Sequence, residues 1–220
     1  MAHFTKGFGR YVCEGDKITC DIEGFKLTAT VYLDDSGDAP WERDDGRGPV
    51  SDWTTRDKAP GERALCQDRS YKRYYDFQEA CKIAQRDGWG CEGGQLPNET
   101  RKAYAARAVE HDFKVLKAWC NDEWHYYGVA VTASKAGIRL TGQYDHALWG
   151  IEGNYPDDDN DYLREVAEDL VDNALDAARA KLATLCTCTE SAGSGDRSPA
   201  AQSRGIISPL RPKQPGSPIN

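Results

Sequence analysis

Two short stretches carry the residue types that chemistry needs. In "CNDEWHYY", Cys120, Asp122, Glu123 and His125 lie within six positions. A thiol, an imidazole and a carboxylate are the parts of an activated nucleophile, with the carboxylate orienting the base. In "YDHALWGIEG", Asp145, His146 and Glu152 offer an acid/base or metal-ligating set. Both stretches also read as ordinary structure. Cys120 finishes an apolar helical stripe, Asp122 and Glu123 suit a turn, and His125 opens a strand. Neighbours this close in sequence rarely converge as a triad, and roles require geometry first. The structural reading is preferred for both, with His125 and His146 kept as the candidates for a small hydrolase or nucleotide-modifying enzyme.

Other catalytic templates are missing. The chain contains no G-x-x-x-x-G-K-[ST], no G-x-G-x-x-G after a strand, no H-E-x-x-H and no G-x-S-x-G. Its 8 cysteines include no C-x-x-C pair and match no zinc-finger spacing. They are expected to be free thiols, and neither a cofactor nor a metal is expected.

Charge supplies a second class of candidate. The 220 residues carry a net charge of −8. The segment from residue 189 onward is rich in Pro, Ser and Gly and carries +2, so the first 188 residues stand at −10. Direct nucleic-acid binding by that part is not expected, because phosphate contacts need clustered Lys and Arg. Glu165, Glu168, Asp169, Asp172 and Asp176 form an acidic stripe on one predicted helix. Such a row is either a solvated face or a mimic of a nucleic-acid backbone. The solvated face is preferred.

The stretch "APWERDDGRGPVSDWTTRDKAPGER", residues 39–63, holds five basic and six acidic side chains and two tryptophans. It shows neither helical nor strand period. Loops this long are usually functional or disordered. Trp41, Trp53 and Val50 would gain by docking, which argues for an ordered loop with an ionic exterior. Trp41, Arg43, Asp44, Asp45, Arg47, Asp52, Trp53 and Arg56 are the candidate partner surface, with a plain packed cover over the neighbouring hairpin as the bland alternative.

The elements that must position these residues follow from periodicity. Ile18, Cys20 and Ile22 alternate with polar residues, and the alternation resumes at Phe25, Leu27 and Ala29. A two-residue turn at Glu23-Gly24 predicts a hairpin pairing Ile22 with Phe25, Cys20 with Leu27 and Ile18 with Ala29. Residues 34–73 are expected as a long charged loop. Phe77, Ala80, Cys81 and Ala84 predict a helix stopped by Gly88. A second helix is predicted from Asn98 or Thr100 to Cys120, with Ala105, Val109, Phe113, Leu116 and Cys120 as its stripe. Tyr127, Val129, Val131 and Ala133 predict a strand, and one or two more follow before Gly153. The last helix, from about Asp161, carries Leu163, Val166, Ala167, Leu170, Val171, Ala174, Leu175 and Ala178, with acidic residues at its N-terminal end. The expected fold is α+β: an antiparallel sheet of about four strands, three helices packed on one face, one domain over 1–188, and a disordered tail over 189–220. No membrane-spanning run and no signal peptide is seen, so the cytoplasm is the expected compartment.

Four stretches, "DGRGPVSDWTTRDKAPGER", "KRYYDFQEACKIAQRDGWG", "KAWCNDEWHYYGV" and "YDHALWGIEG", resemble a group of uncharacterised proteins encoded by tailed bacteriophages and prophages. The resemblance covers about residues 10–185. It implies an accessory phage gene expressed in the host bacterial cytoplasm and assigns no residue a role. The function expected is therefore non-catalytic binding and modulation of an unknown host protein, of anti-defence or host-takeover type. A small enzyme and a virion structural component are the alternatives.

Overall fold

A computed structural model describes residues 3–36, 38–42, 47–91, 93–156 and 158–191, with side chains described through Cys186. The chain divides into two units, Met1–Ala183 and Thr184–Asn220. The described part of the second is the end of the last helix; the expected disordered tail lies otherwise outside the described residues. No described helix is long and apolar enough to cross a membrane.

The class is α+β. Strands β1 (Lys17–Ile22) and β2 (Phe25–Leu33) form the expected hairpin, with Ile18 opposite Ala29, Cys20 opposite Leu27 and Ile22 opposite Phe25. The turn places Glu23 and Gly24 both at positive φ, as a two-residue hairpin turn of this hand requires. β2 pairs antiparallel with the long strand β5 (His125–Lys135). The far edge of β5 takes β6 (Ile138–Arg139) at one end and β7 (Ala147–Gly153) at the other. The sheet thus has five strands rather than about four.

Helix α3 (Asp161–Ser191) covers one face of this sheet. Its Leu163, Val166, Ala167, Val171, Ala174 and Leu175 pack with Leu27, Val31, Val129 and Val131. Each large buried side chain contributes roughly 1.5–3 kcal/mol before ordering entropy.

The other two helices do not join α3 on that face. Helix α1 (Phe77–Asp87) and helix α2 (Arg101–Cys120) form a separate core with a second sheet, β3 (Glu62–Asp68) and β4 (Tyr71–Asp76). The opposite side of α2, at Val115 and Ala118, packs on Trp124 and Tyr126. Tyr126 alternates with Tyr127, so α2 approaches the sheet from the side away from α3. Helix α2 therefore lies between two cores, which is why its apolar stripe is so wide.

Local signals delimit the helices, the Gly88 stop and the Thr100 start among them as expected. The Asp76 side chain accepts from Glu79 N at 2.9 Å and caps α1, which Gly88 ends at φ 72°. Thr100 caps α2 by accepting from Ala103 N at 3.2 Å.

The charged loop expected over 34–73 is largely built. It contains a short 3-10 turn (Pro40–Glu42), β3 and the start of β4. Residues 49–54 run antiparallel along the free edge of β4: Val50 bridges Tyr75 and Thr54 bridges Lys72, with Ser51 N donating to Tyr74 O at 2.8 Å. Strand β3 escapes a period reading because its register shifts between Ala64 and Cys66, and a bulge of this kind breaks alternation.

Cys66 in β3 and Cys120 at the end of α2 are joined in a disulfide, with Cα atoms 5.5 Å apart. That corrects the expectation of free thiols at these two positions. The two elements lie side by side although the cysteines are 54 positions apart in sequence, and the Cα spacing suits a disulfide.

Candidate functional site

The charged segment is fastened to α2, and the fastener is a buried carboxylate. Asp112 is only 5 % exposed. It accepts from Gly48 N at 2.9 Å, from the Tyr75 hydroxyl at 2.7 Å and from Arg47 Nη1 at 3.3 Å. A charge buried on an apolar helical face is tolerated only when paired and hydrogen-bonded, and these three donors provide that. Arg47 also reaches Glu152 on β7 at 3.4 Å. Burial, reinforced by the Asp112 carboxylate, pushes the Tyr75 phenol far above its ordinary pKa, so Tyr75 stays a donor. Burial likewise raises the Tyr155 phenol, against the opposing effect of Arg47. Gly48 must be glycine here, because a Cβ would fall 2.2 Å from the Tyr75 oxygen.

Three more ties run along the same helix. Arg63 pairs with Glu110 at 2.6 Å and stacks over Phe77. Lys117 Nζ donates to Leu65 O at 2.5 Å. The Cys66–Cys120 bond closes the row.

On the platform so held, two indoles share one cation. The Arg73 guanidinium on β4 lies 5.2 Å from the ring centres of both Trp41 and Trp53. Trp41 is half-buried, meets Trp119 of α2 edge-on at 5.1 Å and joins the α1–α2 core, as does Val50. Trp53 is 45 % exposed. The expectation that both tryptophans dock is therefore met by Trp41 alone, and the core it joins is that of α1 and α2 rather than the β1–β2 hairpin. Trp41 anchors to α2, while Trp53 faces outward against Arg73. Arg56 forms a two-pronged pair with Glu62, at 2.5 and 2.7 Å, and lies over Tyr74. Asp52 is exposed. Arg43, Asp44 and Asp45 lie outside the described residues.

The acidic stripe is not a free row of charge. Glu168 accepts from His3 N at 2.8 Å and Phe4 N at 2.7 Å, pinning the N-terminal arm. Asp176 pairs with Arg179, which also binds Glu23. Glu165, Asp169 and Asp172 remain exposed.

The catalytic candidates do not assemble. Cys120 is committed to Cys66. Asp122 is a turn residue at φ 58°, and Glu123 accepts from Asn121. Asp145 accepts from Gly142 N at 2.7 Å, and Glu152 belongs to the Arg47 pair. Among the described residues His146 Nε2 is buried without a hydrogen-bond partner. His125 lines a cleft of about 350 Å³ with Cys13, Glu14 and Asp122, and its ring stands 6.3 Å from that of Tyr127 between centroids. No three His, Cys, Asp or Glu side chains among the described residues converge as metal ligands.

No family model, no curated protein and no solved structure matches this chain. The site must be read from its own residues.

Two clefts of about 940 and 740 Å³ meet at Tyr155 and Pro156. The second is walled by Arg107, His111 and Lys114 of α2. Arg107 is already engaged by Glu99, at 2.8 and 3.0 Å. Arg107 and then the Leu96 backbone amide hold the Glu99 carboxyl down at about 2. A depressed carboxyl stabilises the fold above its unfolded pKa and loses that contribution as the pH falls through the folded one. The Glu99–Arg107 tie should therefore persist at neutral pH and fade between about 4.5 and about 2. Side-chain NMR titration checks this; a Glu99 midpoint near 4.5 would contradict it.

Proposed function

We propose that this protein works by binding: an accessory protein of a tailed phage or prophage that engages and modulates a host protein. The phage setting rests on the sequence resemblance. The binding part rests on one observation: the segment 47–54 follows a fixed path, locked by Asp112, and holds Trp53 and Arg73 together at the surface. An exposed tryptophan on a rigid, ionic support suits a binding anchor, because little ordering entropy remains to be lost on contact. Acidic mimicry of nucleic acid is the weaker form of this reading, since Glu168 and Asp176 are already engaged within the fold.

The test is a pull-down with the full chain as bait from a bacterial host lysate, quantified by mass spectrometry. The wild type should retain one protein in stoichiometric amount. Trp53→Ala and Arg73→Ala should each weaken retention by about 30-fold, the scale of an interface hot spot, while Asp169→Ala leaves it unchanged. A retained partner indifferent to Trp53→Ala and Arg73→Ala would move the interface elsewhere. No stoichiometric partner at all would count against the binding reading.

A further inference from the structure

A second aromatic group lies on the main sheet, on the face away from α3. Tyr32 of β2, Tyr144 and Trp149 of β7 have ring centres 5.2 to 6.3 Å apart. The backbone makes room for this cluster. Tyr32 is opposite Gly128 on β5, and the Trp149 indole sits over that glycine, where a Cβ would fall 2.3 Å from the ring. The β5–β7 register shifts at this point, and Gly150 takes φ 77°. This bulge turns the indole onto the sheet. The Gln143 side-chain amide then donates to both phenol oxygens, Tyr32 at 3.1 Å and Tyr144 at 2.9 Å. The rings are thus held in place, yet Trp149 remains 43 % and Tyr144 54 % exposed.

The cluster is electrically neutral. Among the described residues no cation lies over these three rings, whereas Arg73 occupies both Trp41 and Trp53. Its polar atoms are phenol hydroxyls and one carboxamide. Along the same face β2 and β5 place Thr28 opposite Thr132, which continues the hydroxyl surface. Trp149 also lines a cleft of about 430 Å³ with Leu148, Tyr162, Glu152 and Asp158, so carboxylates stand beside the rings on that side. Nucleic acid needs clustered cations, and the chain stands at −8.

We infer that the Tyr32–Tyr144–Trp149 platform binds a neutral saccharide, whose C–H face packs on the exposed indole while its hydroxyls exchange hydrogen bonds with the two phenols and Gln143. The match is one of chemistry: aromatic rings edged by phenol and carboxamide groups meet a ligand that has an apolar C–H face and hydroxyl edges. The acidic body disfavours sulfated or uronic sugars through like-charge repulsion. This inference is independent of the Trp53–Arg73 surface.

The experiment probes the full chain on an array of neutral and acidic oligosaccharides and of proline-rich peptides, then titrates the best-retained neutral oligosaccharide by calorimetry. Neutral saccharides should be retained in preference to acidic ones. Trp149→Ala and Tyr144→Ala should each weaken binding by about tenfold or more, and Trp53→Ala should leave it intact. Tyr144 does not sit on Gly128, so its variant reads the site even if Trp149→Ala disturbs the sheet. Retention of no neutral saccharide overturns the inference. So does retention that survives both variants, or a preference for the proline-rich peptides.

Discussion

Replacing Asp112 with alanine should cost about 3–5 kcal/mol of folding stability, the range for removing one partner of a buried ion pair. The side chain is buried and has three donors aimed at it, from Gly48, Tyr75 and Arg47. Truncation leaves the Tyr75 phenol and the Gly48 amide without their acceptor and strips Arg47 of one of its two carboxylate partners, Glu152 being the other. Tyr75→Phe removes one neutral donor and should cost about 1 kcal/mol. The pair of changes Asp112→Ala with Arg47→Met should cost less than the sum of the singles, because the two side chains are in contact and both single changes remove the same ion pair. Denaturant titration of the wild type and four variants, Arg47→Met alone included, checks the series. A loss below about 1 kcal/mol for Asp112→Ala would mean that Asp112 is not the anchor.

Cleaving the Cys66–Cys120 bond should be comparably severe. Closing a loop with a sequence separation of 54 residues removes chain entropy from the unfolded state worth about 4 kcal/mol on the loop-closure account. The bond also ends the row of ties between β3 and α2 that begins at Arg63–Glu110. Reductant, or Cys66→Ala with Cys120→Ala, should lower the unfolding free energy by that scale in a denaturant titration, and non-reducing peptide mapping should recover the two cysteines joined. Recovery of both as separately alkylated thiols would remove this fastener. Structural disulfides are uncommon in a reducing cytosol, so the same mapping on protein taken from cells bears on the compartment.

Much of the fold was legible because burial imposes a period. The β1–β2 register follows from Ile18, Cys20 and Ile22 facing Ala29, Leu27 and Phe25, since a slip of one residue would turn the set into solvent. The α3 stripe is long enough to leave no alternative. Strand β3 was not legible: Leu65 is its one fully buried residue, and the shift at Ala64/Cys66 erases alternation. The layering of α1 and α2 was also hidden, because a stripe widened by Val115 and Trp119 shows that a helix is buried on two sides without showing against what.

The candidate site was legible in part. A long charged segment bearing two tryptophans signals an ordered surface, yet nothing in its composition separates the anchoring Trp41 from the outward Trp53. Asp112 did leave a signal. It falls on the face of Ala105, Ala108, Val109 and Leu116, and a carboxylate on such a stripe requires buried donors. Arg73, the residue that joins the two indoles, lay in a stretch with no period. The Tyr32–Tyr144–Trp149 platform gathers residues more than 100 positions apart, which only the sheet register brings together.

Native-state hydrogen exchange at the amides of Gly48, Ser51 and Thr54 tests the locked segment most directly. These donate to Asp112, Tyr74 O and Lys72 O respectively. The expected result is slow exchange, with protection close to that of the adjoining strand β4, and its loss at Gly48 in Asp112→Ala under conditions where α3 stays protected. Exchange at the rate of an unstructured peptide in the wild type would show a loop with no fixed path, and the Trp53–Arg73 surface would then have no rigid support.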